Sequence, residues 1–533
     1  MAFSVVQAGN ALFKVDPTTG TATQLTLPTG VTLSTTRLPQ FAVLNQWVAV
    51  VNSPSQNLVI DPEGTVRLMT PRAPQAQPLV ASGGAGNVTG SIRVKFSYAV
   101  FGTDGQLYME SPLSPASSAF SASSNILAIS NLAVSLEGTT GWQRKVYRTL
   151  AGGTVYYLVG AIEDNVGTTL THNLADAGVE LLPIDEGALM SPPGTLPGTQ
   201  LKTIVAWKSR LWGVSSAPDS VDTVVYSNAN KVYAWPNDLI AYPTGQDTEG
   251  VIAFAPRRDE LGVLKRYGLW TIAGDGDTFG LVQVQQGRGG CISAKTVVPI
   301  NDHVYWLGDD GVWEWGPEGL RNVSDEAVAP WFKSDTFFTR SRFGNAFAKY
   351  NALRKTYELH LANAGSSVED RWVSYSIENK KWYGPHLTSA FTPTAAQLVS
   401  DASGLPVVYM SGSNGIVYKM NQATFHDGTA TAIAFDVTGA MHFASAPDIE
   451  HYWGELSMLT RIESSGTLTI TPTVGRLGTS SGATISHALT TGRERLRRLG
   501  TGAGAKLQFT QSTADVGVSI YGYEAPFHEI GRR

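Results

Sequence analysis

The sequence predicts an all-β protein, on three observations. Charged residues make up only 16% of the 533 residues, against a usual share of about a quarter, and Gly, Ser and Thr fill the gap. Short runs rich in β-branched and aromatic residues recur along the chain. Among them are Ile204-Val205-Ala206-Trp207, Val224-Val225-Tyr226, Val304-Tyr305-Trp306-Leu307 and Val407-Val408-Tyr409-Met410, each with turn-forming residues close by. Amphipathic helical periodicity is nearly absent: the best stretch, residues 324–333, carries Pro330 and allows one or two turns. Several of the short runs are continuously apolar, as strands covered on both faces are.

The hairpins can be placed by their turns. Residues 305–315 read as a strand, an Asp310-Gly311 turn and a second strand, because Asp and Gly tolerate positive φ. The same grammar recurs at 408–418 and 373–383, and its strand and turn at 11–20. Irregular recurrence of hairpins punctuated by aromatics favours a β-propeller-like body with decorated blades. Residues 1–75 hold its first strands. A Pro/Gly/Ala connector over 71–88 leads into residues 88–185, whose strands (92–101, 126–132, 144–149 and 156–162) suit a small inserted β-sandwich. A second connector, 191–198, precedes the remaining blades at 199–425. Residues 430–533 carry alternating runs such as Thr467-Leu468-Thr469-Ile470-Thr471 and are expected to add a C-terminal β-sheet layer.

Charge and cysteine content exclude several functions. The net charge of −5 excludes a bulk nucleic-acid binder. The single cysteine, Cys291, permits neither an internal disulfide nor a thiolate zinc cage, and suits a reducing compartment. No secretory leader and no membrane span are expected.

Candidate chemistry is thin. Gly478-Thr479-Ser480-Ser481-Gly482 matches the spelling of a nucleophile elbow but lies among strands, without the helix that motif needs. The nine histidines show no metal-motif spacing. Asp275, Asp277, Asp309 and Asp310 sit in glycine-containing turns, yet the calcium-loop pattern is incomplete. Gly287-Arg288-Gly289-Gly290-Cys291 lacks the Lys-Ser/Thr of a phosphate loop and reads as a tight bend with a buried thiol. Trp212, Trp235, Trp306, Trp313, Trp315, Trp372, Trp382 and Trp453 read as packing between strands rather than as a sugar platform. No catalytic, cofactor-binding or metal-ligating residue is assigned. The one dense basic stretch, residues 492–500, holds Arg493, Arg495, Arg497 and Arg498. It suits a subunit interface, a phosphate contact or a solvated strand, and Arg532-Arg533 could extend it.

Three stretches carry a resemblance. They are Lys208-Ser209-Arg210-Leu211-Trp212-Gly213 with Val225-Tyr226-Ser227 and Ala234-Trp235-Pro236; residues 261–275; and Gly289-Gly290-Cys291-Ile292-Ser293 through Tyr305-Trp306-Leu307 to Gly311-Val312-Trp313. Over residues 200–420 the chain resembles the tail hub or nozzle proteins of podovirus-type bacteriophages, the tail tubular protein B group. The insertion resembles a fibronectin- or Ig-like module, on Tyr98-Ala99-Val100, residues 105–112 and Val146-Tyr147-Arg148-Thr149. The resemblance implies a structural virion protein made in the bacterial host cytoplasm. It implies a homo-oligomer, a hexameric ring below a tail adaptor, with docking sites for tail fibres or a needle and transient passage of viral DNA. It implies no enzyme activity and no cofactor. A carbohydrate-binding or sialidase-like propeller is the alternative, on the single hairpin box Gly308-Asp309-Asp310-Gly311-Val312-Trp313. Another tail-tip or fibre-attachment protein is a further one.

Overall fold

The computed structural model describes residues 3–16, 19–37, 39–52, 56–138, 141–184, 200–215, 222–236, 240–241, 250–276, 278–286, 288–324, 328–387, 391–400, 403–420, 426–427, 431–432, 435–444, 448–463, 465–475, 482–513 and 516–532. It is all β, built from small antiparallel sheets. The α-helix in the region expected to hold one, Ala329–Lys333, is five residues long with Pro330 in its first turn. Two compact units are present: residues 1–385 with 398–406, and residues 386–397 with 407–533.

The first unit strings together meanders whose strands follow chain order. The first is Ser4–Ala8, Ala11–Val15 and Ala22–Leu25; the second is Gln40–Leu44, Trp47–Val51, Leu58–Ile60 and Val66–Leu68. After the insertion come a third (Leu201–Trp207, Arg210–Ser215, Val224–Tyr226, Ile240–Ala241) and a fourth (Ala253–Pro256, Glu260–Lys265, Gly268–Asp275, Thr278–Gln286). A fifth (Val298–Ile300, His303–Gly308, Gly311–Gly316, Gly319–Asn322) and a sixth (Phe347–Asn351, Thr356–Leu361, Arg371–Ser376, Trp382–Leu387) follow. The opening strand of the second meander packs on that of the third, and so on through the fourth and fifth to the sixth. Propeller blades meet in this way, innermost strand to innermost strand.

The second to fifth meanders bury both faces, which explains the continuously apolar strands. Leu261 and Val263 of the fourth meander join Trp207, Trp212 and Tyr226 of the third. The alternate residue Leu264 joins Val304, Trp306, Trp313 and Trp315 of the fifth. Tyr305, Leu307 and Val312 of the fifth then meet Tyr357, Leu359 and Val373 of the sixth. Successive residues of a strand point to opposite faces, so one strand serves two layers. Gly262 lies where a Cβ would stand 2.9 Å from Trp315, so the tryptophan fills the missing side chain. Six of the eight singled-out tryptophans are buried; Trp372 and Trp382 are half-buried.

The hairpin at 303–316 departs from the expected turn. Gly308 pairs with Gly311, so the two-residue loop is Asp309-Asp310. The positive φ falls on Gly311 alone, at +141°. The Asp309 and Asp310 carboxylates are taken up locally, by Arg266 Nε at 2.9 Å and by Trp313 Nε1 at 2.9 Å.

The insertion is a sandwich of two sheets. One has the order Leu107–Glu110, Val94–Phe101, Trp142–Thr149, Tyr156–Ile162; the other Leu170–His172, Phe120–Ser130, Leu79–Ile92. Two expectations are corrected here. Residues 79–88, read as connector, belong to the 14-residue strand Leu79–Ile92, and the run 92–101 is two strands in different sheets. The glycines misled because they serve bulges and close approach. The register slips on either side of Asn125, Gly84 has φ +115°, and a Cβ on Gly86 would stand 2.5 Å from the Ile126 nitrogen. Two fully buried arginines pin the sandwich loops. Arg144 donates to the carbonyls of Leu132 and Asp164, and Arg148 to His172 Nε2, Leu174 O and Asp176 Oδ1. The connector at 191–198 lies outside the described residues.

The second unit contains a further pair of sheets where one layer was expected. One runs Phe435–Thr438, Gly504–Gln511, Thr467–Gly475, Ile485–Ala488, with His442–Phe443 also on Gly504–Gln511. In the other, Ile449–Thr460 is flanked by Arg493–Gly502 on one side and by Ile520–Glu524 and Phe527–Arg532 on the other. Trp453, Leu456 and Met458 from the second sheet share a core with Leu468, Ile470 and Phe509 from the first.

Trp306 is fully buried between the fourth and fifth meanders. Trp306→Ala is expected to cost about 3–5 kcal/mol, read as a lower urea midpoint for the first unit by far-UV circular dichroism.

Candidate assembly surface

Strict alternation along residues 493–499 would send Arg493, Arg495 and Arg497 to one face and Glu494, Leu496 and Arg498 to the other. The structure resolves this conflict with a bulge. In the strand Arg493–Gly502, Arg495 lies opposite Ser457 and Arg498 opposite Glu455, so Leu496 and Arg497 together face the single residue Leu456. The extra residue flips the pattern beyond it. Arg493, Arg495, Arg497 and Arg498 are all exposed, while Leu499 is buried and Leu496 packs on the core.

Among the described residues Arg493–Gly502 is also an edge strand, paired within its sheet only to Ile449–Thr460. None of the four arginines has an ion pair among the described residues. Charges on a strand edge deter indiscriminate pairing and leave guanidinium forks free for a partner's carboxylates. The Arg532 backbone pairs with Ile449, whereas that of Arg498 lies opposite Glu455, roughly 20 Å apart along the strand at its usual rise. Arg533 lies outside the described residues.

The inward residue of the row is tied down. Glu494 Oε2 lies 2.7 Å from His487 Nδ1, and His487 Nε2 lies 2.9 Å from Thr460 Oγ1. Hydroxyl, imidazole and carboxylate stand in the order of a nucleophilic triad. Thr460 is 3% exposed and His487 fully buried, so no substrate reaches the hydroxyl. The three groups act as a brace that joins Ile485–Ala488 of one sheet to Ile449–Thr460 and the arginine strand of the other. Sequence reading missed it because the residues lie 27 and 7 positions apart on three strands.

Other polar groups are likewise taken up by protein partners. Tyr305, Glu314 and Arg321 form a ladder across three strands of the fifth meander. The Tyr305 hydroxyl donates to Glu314 Oε1 at 2.5 Å and Arg321 pairs with the other carboxylate oxygen. Burial and the Glu314 charge push this phenol far above its ordinary range, which disarms it as a nucleophile. In the sixth meander Lys349 reaches Glu358 at 3.1 Å, and the ring of His360 stacks on Phe347 at 4.5 Å. Cys291 is fully buried and its thiol is pushed up to about 12 by burial. Gly290 packs so tightly on the Arg266 carbonyl that no Cβ fits, the expected bend. Asp275 faces Lys208 at 3.6 Å. Asp277 and residues 478–481 of the elbow-like run lie outside the described residues. No group of three His, Cys, Asp or Glu side chains suited to a metal occurs among the described residues. No helix there is long and apolar enough to cross a membrane.

No family model matches the chain, and no curated protein matches it. Solved structures similar to it include an exo-β-1,3-galactanase from Phanerochaete chrysosporium with galactose. That likeness has 10% identity and a TM-score of 0.22, over 71% of this chain and 93% of that one. Apo AztD from Citrobacter koseri has 11% identity and a TM-score of 0.24, over 62% of this chain and 92% of that one.

Removing the imidazole of the brace leaves Glu494 and Thr460 without their partner. His487→Ala is expected to cost about 2–4 kcal/mol, seen as earlier melting of the second unit by calorimetry. A pH effect arises in the first unit. Burial, reinforced by Arg148, holds His172 below its ordinary value, and burial with Lys349 holds His360 well below it. Folded, both imidazoles hold a proton more weakly than in the unfolded chain, where histidine titrates near about 6.5. Stability is therefore expected to fall as pH drops below 6.5, by up to about 1.4 kcal/mol per pH unit for each histidine. Urea midpoints of the first unit at pH 7.5, 6.0 and 5.0 check this, and His360→Gln should flatten the slope.

Proposed function

We propose that the chain is a structural subunit of a bacteriophage tail hub or nozzle. Copies close into a ring, six on the pattern the sequence resemblance implies. The ring would sit below the tail adaptor, carry fibres or a needle and let viral DNA through. The observation that carries this reading is the row of four exposed guanidiniums on an edge strand, without ion-pair partners among the described residues. A closed ring needs a heterologous contact in which one patch meets a different patch on the next copy. An arginine row braced from behind by Glu494, His487 and Thr460 supplies one half of such a contact, and acidic groups on a neighbour the other.

Two further features support a mechanical role. The hydroxyl–imidazole–carboxylate set, the Tyr305–Glu314 pair and the Cys291 thiol are each sealed from substrate. The net charge of −5 also suits a conduit, because a strongly basic lumen would release counterions on binding DNA and hold it back.

The test is the charge reversal of Arg495, Arg497 and Arg498 to Glu. Purified wild-type chain is expected to show ring particles by negative stain and a multiple of the monomer mass that falls as salt rises. The triple variant is expected to remain monomeric with an unchanged melting temperature. Equal masses for the two proteins at every salt concentration would remove the arginine row from assembly.

A further inference from the structure

A cavity of about 390 Å³ lies inside the first unit, between the second meander and the inserted sandwich. Glu63, Val66 and Arg67 line it from the meander, and Glu137, Gly138 and Trp142 from the sandwich. Its polar groups are held from behind and leave atoms unused in front. Arg67 binds the fully buried Asp61 carboxylate through Nε at 2.9 Å, and Asp61 is itself fixed by the N–H groups of Glu63 and Thr65. The outer guanidinium nitrogens have no protein partner among the described residues. Glu63 takes three bonds on Oε1, from the Thr103 nitrogen and hydroxyl at 2.7 Å each and from the Tyr108 hydroxyl at 3.3 Å; its second oxygen takes none there. Glu137 accepts the Arg72 N–H on Oε1 at 2.7 Å and likewise keeps its second oxygen. Asn165 locks the loop beneath Glu137, bonding Ser135 in both directions at 2.8 Å and the Gly138 carbonyl at 2.7 Å.

Gly138 supplies an independent observation. A Cβ there would stand 2.7 Å from Trp142 Nε1, yet its φ is one that any residue adopts. The backbone does not require glycine; the space in front of the indole nitrogen does. Trp142 is 4% exposed, and no protein acceptor takes its N–H among the described residues. The indole N–H therefore opens onto the cavity and is available to whatever fills it.

The charges select the visitor. Asp61 offsets Arg67. Hydrogen bonds from Thr103 hold the Glu63 carboxyl below its ordinary range, so it is anionic. Burial pushes that of Glu137 up. Anions gain little here, and a bare cation meets the guanidinium. A neutral ring bearing several hydroxyls satisfies two carboxyl acceptors and two donors at once, with Val66 against its apolar edge. The volume suits a group of that size.

We propose that this cavity binds one ring of a neutral saccharide, with Glu63 and Glu137 accepting hydrogen bonds from its hydroxyls and Arg67 and Trp142 donating hydrogen bonds to its oxygens.

The test is titration of the full chain, by calorimetry and saturation-transfer NMR, with glucose, galactose, mannose, N-acetylglucosamine and lactose. Glucuronic acid and glucosamine serve as charged controls. At least one neutral sugar is expected to bind, and to bind more tightly than either control. Glu63→Gln and Gly138→Val are each expected to weaken it about tenfold or more. Glu63 is exposed, so its variant should keep the wild-type melting temperature even where a side chain at 138 disturbs the loop. The proposal is overturned if no neutral sugar binds at tens of millimolar, if only a charged control binds, or if Glu63→Gln binds as the wild type does. Ring assembly is read by particle mass, so the two readings stand or fall separately.

Discussion

Large aromatic side chains fill the space between one short meander and the next, and the first unit depends on that filling. A four-stranded meander has little area of its own, and a strand of about six residues cannot bury enough apolar surface alone. Here each middle strand spends one set of alternate residues on the layer before it and the other set on the layer after. Trp207 and Trp212 serve one layer, Trp306, Trp313 and Trp315 the next, and Tyr305, Tyr357 and Tyr375 the one beyond. Gly262 and Gly290 are the counterpart, places where a tryptophan or a carbonyl comes too close for a Cβ.

A consequence is that polar groups inside the layers must be satisfied locally. Tyr305, Glu314 and Arg321 answer one another across three strands; Lys349 answers Glu358. Such clusters look like chemistry when read as a set of residue types. Their burial turns them into braces. The cavity beside Glu63 and Glu137 differs because its groups are tied from one side only and keep free lone pairs and hydrogens toward open space.

The arginine strand shows the limit of pattern reading from another direction. Residue types alone place a basic strand at 493–498. Alternation would have buried Arg498, and a buried unpaired guanidinium is expensive. The bulge opposite Leu456 removes that cost and puts four guanidiniums on the outside. A bulge depends on the partner strand's length and register, which lie forty residues away in the chain.

By itself the sequence determined the class of structure and several of its hairpins. The β-branched and aromatic runs, the turn residues between them and the absence of helical periodicity are local signals, and they report local geometry. The hairpins at 373–383 and 408–418 and the short Pro330 helix were legible for that reason. Only the tertiary structure decided what glycines were for. The run at 83–86 is a bulged strand rather than a linker, because the neighbour strand's backbone comes within reach of it. It alone brought Thr460 to His487 and Glu494, and Glu63 to Glu137 and Trp142, since those meetings depend on which strands lie side by side. That choice is made by burial summed over whole sheets, and no short stretch of sequence contains it.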